Sequence, residues 1–188
     1  MKLSRSKLRQ LILEEFSLAV VHPAESPCDV SRSATLSEVL ADWLGRLRAI
    51  QLWFHTAHIV VSGPSFAGDH DNLYGRIYTE IQEALDADIE KAVGVTGDVS
   101  VACSHKLVEI AHEVLEKYPS PSVLDAETVA STALKMVHDH IGFVEQTFED
   151  LESSGELTLG LNDHLAAQAN TFESYVYLLR QRAGSPGM

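Results

Sequence analysis

The densest group of chemically able side chains in this 188-residue sequence is His58-Ile59-Val60-Val61-Ser62-Gly63-Pro64-Ser65-Phe66-Ala67-Gly68-Asp69-His70. It holds two histidines twelve residues apart, bridged by a Gly-Pro turn. Imidazole nitrogens at the end of one element and the start of the next can converge on a cation, and imidazole suits borderline metals such as iron. His58 also continues the apolar row Leu47, Ile50, Phe54. Taken alone it reads first as a core histidine needing a buried partner, since unpaired polar nitrogens are costly to bury, and second as a ligand.

Asp86 and Glu90 lie four apart and share one face if the segment is helical. Alone, the pair reads first as a solvated acidic face; beside histidines it completes a donor set for a hard or borderline cation. His70 to Asp86 is sixteen residues, roughly 24 Å along a helix. One ion cannot touch both groups within one chain. A site using all four residues must therefore be shared between two copies.

Other chemistry is missing. The sequence has no GxxxxGK[ST], no GxGxxG, no HExxH and no GxSxG, so nothing points to nucleotide binding or a serine hydrolase. His55 precedes His58 by one turn and could reach the same pocket. Glu109 and His112 have the ExxH spacing of larger diiron sites but read better as surface residues, because no second ExxH follows on the last helix. His138, His140 and His164 read as helix-face or interface positions.

Helices must position these groups. A capping box, Thr35-Leu36-Ser37-Glu38, opens a long helix with apolar positions Leu36, Val39, Leu40, Trp43, Leu47, Ile50, Phe54 and Val61, stopped by Ser62-Gly63-Pro64-Ser65. A second runs from about Gly68 to Val93, with Leu73, Ile77, Ile81, Ala84 and Leu85 inward, and breaks at Gly94 to Gly97. A shorter helix spans about Val99 to Lys117. The third long helix starts at the N-cap Asp125 and ends at Ser153-Ser154-Gly155; the last covers about Leu157 to Arg182. No segment alternates as a strand would. The reading is all-α: a four-helix bundle with a short crossover helix between the second and third long helices. Residues 35–183 form this domain, residues 1–34 a first short helix and a breaker-rich segment, and 184–188 a tail.

Composition narrows the setting. At 45% hydrophobic, the chain can bury the core of one domain. No apolar run reaches the ~18 residues of a membrane span. Met1-Lys2-Leu3-Ser4-Arg5 has no apolar region after its charges, so a cytoplasmic protein is expected. Cys28 and Cys103 form no CxxC and read as two reduced thiols. Fourteen basic against 27 acidic residues leave −13 with histidine neutral, a surface that attracts cations and repels DNA. Four basic residues, Lys2, Arg5, Lys7 and Arg9, cluster near the N-terminus. That segment reads as an amphipathic helix docking on its neighbour (Leu3, Leu8, Leu11, Ile12) before it reads as a phosphate contact.

The segment His58…Gly63-Pro64-x-Phe66…His70 resembles the signature of the Dps miniferritins, in which HWxxxGxxF leads to a second histidine. Ile77-Tyr78-Thr79-Glu80 and Leu85-Asp86-x-x-x-Glu90-Lys91 are similar to that family's LYxE and DxxxER stretches, and Gly155-Glu156-Leu157-Thr158 through Tyr175-Val176-Tyr177-Leu178-Leu179 to its closing helix. The resemblance implies a ferritin-like fold, a hollow homododecamer, and ferroxidase sites at two-fold interfaces. His58 and His70 would come from one chain and Asp86 and Glu90 from its partner, binding Fe(II) for oxidation by peroxide or oxygen and storage as ferric mineral. Two alternatives of the same shape are a DNA-protecting shell and a structural shell with a degenerate metal site. The sequence departs from the family at Tyr74, where an aspartate one turn after the second histidine belongs, which implies a weakened second iron position. The His70-to-Asp86 interval is also one residue longer, which predicts a π-bulge near Tyr74-Gly75. Asp71 is a partial substitute at a different angle, and Ile59 replaces the family tryptophan.

Overall fold

Leu40, Trp43, Leu47, Ile50, Phe54 and Ala57 recur at three- and four-residue spacing and are buried along one side of α1 (Leu36–Val60). A second buried stripe, Ala41, Gly45, Ala49 and Trp53, runs along another side. The structure, a computed structural model, describes residues 36–184; the predicted N-terminal helix, the breaker-rich segment and Thr35 of the capping box lie outside the described residues. All of the described residues fall in one compact unit.

A turn through Gly63 leads to a π-helical segment, Gly68–Gly75, which passes directly into α2 (Arg76–Thr96). The predicted bulge is present, spread over two turns. Ile77, Ile81, Leu85, Asp88 and Ala92 face inward from α2; Ala84, expected among them, is exposed. The helix also runs past Gly94, stopping only where Gly97 takes up φ +65°. Glycine there relieves the steric cost of the left-handed conformation. The predicted crossover helix is two pieces, a 3₁₀ turn at Val99–Ala102 capped by Asp98, and α3 (Ser104–Leu115).

After a 3₁₀ turn at Pro121–Val123, Asp125 caps α4 (Ala126–Ser154) by accepting the amides of Glu127 and Thr128. Thr158 caps α5 (Leu159–Ala183), two residues later than the apolar pattern suggests. The described residues contain helices and no strand, so the fold is all-α. None of these helices is long and apolar enough to cross a membrane.

The two stripes of α1 explain the packing. One side meets α2 and α4, and α4 pairs with α5 around a shared apolar core. The other side meets α3, where a Cβ on Gly45 would stand 2.6 Å from Ile110 Cβ. Ala49, Ala111 and Val114 form a small second cluster there, and Trp53 Nε1–H donates to Pro119 O at 3.0 Å. Cys103, at the start of α3, is carried in a disulfide, not as the reduced thiol expected. Its pairing is a tertiary feature that no local spacing signals.

Candidate metal centre

His58 sits in the last turn of α1 and His70 in the π-helical segment. The two side chains grip each other's backbone. His58 Nδ1–H donates to His70 O at 2.8 Å, and His70 Nδ1–H donates to His58 O at 2.7 Å. A carbonyl can only accept, so Nδ1 carries the hydrogen on both rings, and in the neutral tautomer each lone pair lies on Nε2. Metal-ligating histidines are oriented in this way, by a hydrogen bond from the other ring nitrogen to a carbonyl or carboxylate. The rings stack at 3.9 Å between centroids, 17° apart. Phe66 stacks on His70 and Tyr78 packs against His58, with His55 beyond it. His55 thus braces the column through Tyr78.

The third member of the group is Asp71. One ring nitrogen from each histidine and one Asp71 oxygen all lie within 4.8 Å of one another, and His70 Nε2 is 3.6 Å from Asp71 Oδ1. His58, Asp71 and Glu80 border an open recess of about 370 Å³. Two imidazoles and a carboxylate facing solvent can take a divalent first-row ion with coordination positions to spare.

The π-helix makes this arrangement. Arg76 N–H reaches Asp71 O, five residues back, so the extra residue is absorbed before α2 begins. Gly75 is what lets the histidines close: a Cβ there would stand 2.5 Å from His70 O and 2.8 Å from His58 Nδ1. Tyr74, where the resemblance would place an aspartate, is fully buried with its ring against Phe54. Burial, and then the charge of Asp69, push its phenol well above the usual range, and its hydroxyl has no hydrogen-bond partner among the described residues. It belongs to the core, not to the ring column. Asp69 is buried as well and fastens the segment to the end of α5: Arg182 Nε donates to both its oxygens at 2.8 Å, and Ser65 Oγ donates to Oδ2 at 2.7 Å.

Asp86 and Glu90 lie exposed on α2 and make no hydrogen bond or ion pair among the described residues. The chain does not bring them to its own histidines, in line with the sixteen-residue interval. His112 pairs with Glu116 on the surface, as its surface reading requires.

His140 is a correction. It is buried, not on a helix face, and burial pushes its pKa down to about 4. It belongs to a polar chain across the core, together with Asp88, which the reading for site residues passed over. His140 Nε2–H and Trp43 Nε1–H both donate to Gln168 Oε1, at 3.2 and 2.6 Å. Gln168 Nε2 donates to Asp88 Oδ2 at 3.3 Å, and His164 Nε2–H to Asp88 Oδ1 at 2.5 Å. His164 is therefore also more than a helix-face residue. Burial raises the Asp88 carboxyl, opposed by its bond to His164. The signal for both residues was available: Asp88 continues the inward row Ile77, Ile81, Leu85, and His140 the row Ala133, Met136, Val137.

Compared with known proteins, the chain matches no family model and no curated protein.

Proposed function

We propose that this chain is a Dps-type miniferritin: a ferritin-like four-helix bundle with a crossover helix, assembled as a hollow homododecamer that oxidises Fe(II) and stores the ferric product. The observation that carries the reading is the reciprocal hydrogen bonding of His58 and His70. It holds both rings with Nε2 as the donor atom, beside the Asp71 carboxylate. Further support comes from Asp86 and Glu90, exposed and unpaired on α2. Because the π-helix takes up the additional residue before Arg76, these two keep the register on α2 that the resemblance implies. They complete the site from a second copy. Iron is the substrate: each Fe(II) gives up one electron to peroxide or oxygen, and the −13 chain favours collecting the cation.

Fe(II) oxidation followed by absorbance tests this. His58→Ala and Glu90→Ala each lower the rate sharply, the first by removing a positioned imidazole and the second by removing a charge supplied by the partner. Wild-type rates in both variants would overturn the site. The competing reading, a shell with a degenerate metal site, draws on Tyr74, which leaves no carboxylate one turn beyond His70. It requires that wild-type protein oxidise iron no faster than His58→Ala does.

A further inference from the structure

Exposed apolar side chains border the histidine column. Leu52 and Ile59 stand two turns apart on one side of α1, and Phe66 stacks on His70. Asp71, the third member of the metal group, has 77% of its side chain exposed, and its ion-pair neighbour among the described residues is His70. Arg76 borders the same recess but is held by Glu80 at 2.7 Å.

The surface proposed to cover this column is acidic. Glu83, Asp86 and Glu90 follow one another at three- and four-residue spacing, so they form one exposed stripe along α2. None of them makes a hydrogen bond or ion pair among the described residues. Neither basic residue of α2 offsets them. Arg76 is the partner of Glu80, and Lys91 Nζ lies against α5, 2.9 Å from where a Cβ on Gly160 would stand.

Seating that stripe on the column has two opposed consequences. Covering Leu52, Ile59 and Phe66 favours association. Bringing Asp86 and Glu90 of a second copy up to Asp71 gathers three carboxylates in one place, and like charges juxtaposed across an interface oppose it. Neutral imidazoles do not relieve this, because both rings spend Nδ1–H on backbone carbonyls and present Nε2 lone pairs. A divalent ion does relieve it, since it offsets the carboxylates and takes the imidazoles as ligands.

We infer that association at this face is gated by the ion it binds. Copies meet weakly when the site is metal-free, and tightly once a divalent first-row ion joins His58, His70 and Asp71 to Asp86 and Glu90 of a second copy. The inference rests on the shared site of the proposed function and adds the regulation of its assembly. Linkage makes the gate reciprocal: the factor by which the ion strengthens association is the factor by which association strengthens ion binding.

Mass photometry of the full chain diluted into the nanomolar range tests this, with Co(II) as the probe and no oxidant added. Chelator-treated protein should dissociate at a concentration at least tenfold higher than Co(II)-saturated protein. Raising salt from ~20 to ~150 mM should strengthen metal-free association by screening the carboxylates. Asp71→Asn and Glu90→Gln, both at exposed positions, should each strengthen metal-free association and shrink the Co(II) effect, a pairing that a merely structural loss does not produce. Equal dissociation with and without Co(II), an equal effect of Mg(II), for which imidazole is a poor ligand, or folded variants that weaken metal-free association would each overturn the gate. Iron oxidation that persists in protein whose assembly ignores Co(II) sinks the gate and leaves the iron reading standing; absence of Co(II) binding at the histidines sinks both.

Discussion

His140 is held neutral inside the protein, and that has a measurable pH signature. Its folded-state pKa of about 4 lies below the ordinary 6.5. Between those values the unfolded chain takes up a proton that the folded protein refuses. The stability His140 contributes is thus complete above pH 6.5 and is lost as pH falls toward 4, by about 3 kcal/mol in all. Asp88 works in the opposite sense, because its raised carboxyl protonates in the folded state first. The informative quantity is therefore a difference: urea unfolding from pH 7 to 4.5 should show a shallower loss for His140→Leu than for wild type. Gly75 offers a second test. Gly75→Ala forces a Cβ into His70 O and His58 Nδ1, so the reciprocal bonds must open. Stability should drop by about 1–3 kcal/mol, with Co(II) absorption at the histidines lost in protein that remains folded.

At the scale of elements, the π-helix and the end of α5 behave as one unit. Arg182→Met strips the buried Asp69 carboxylate of its charge partner, which costs about 3–5 kcal/mol. Adding Asp69→Asn should recover part of that loss, since the uncompensated charge is then gone; additive losses in a double-mutant cycle would contradict this account. The bulge was legible because it is a counting feature: one residue too many between His70 and Asp86. The anchor was not, because Asp69 and Arg182 are 113 residues apart and neither type signals burial. Helix ends were legible to within a few residues where a cap marks them, as at Asp125 and Gly155. The α1–α3 contact was missed for a different reason. Reading one apolar row along α1 hides a second row of small residues, Ala41, Gly45 and Ala49, whose meaning is close approach. Gly45→Ala, meeting Ile110 at 2.6 Å, should cost about 1–3 kcal/mol and loosen α3, which amide exchange along Ser104–Leu115 would register.

At the scale of the whole molecule, the donors divide between a histidine pair on one surface and free carboxylates some four turns away. Under the proposed function, such a layout would be complete only in an assembly. Light scattering should return twelve times the 20.6 kDa chain mass, about 247 kDa by that product; a stable monomer at micromolar concentration removes the shared site. The same acidity that gathers cations should keep the assembly off DNA at physiological salt, as gel mobility would report. Retarded DNA that depends on residues 1–10 would favour the DNA-protecting alternative. All-helical architecture was readable from periodicity alone, because five amphipathic segments and no alternating run leave little choice. The proposed assembly rests, in the sequence, on the distance between His70 and Asp86 and on the resemblance.

The mutual grip of His58 and His70 also bears on how this chain can change over generations. Each ring donates to the other's backbone carbonyl, which every residue carries, so replacing one histidine removes one bond and leaves the other in place. The two substitutions should therefore cost similar amounts, apart from the ring stacking that either one ends. Descent can pass through a one-histidine form that keeps its loop and loses half of the donor pair. Gly75 should outlast both histidines, because a Cβ there meets His70 O, a backbone atom, at 2.5 Å.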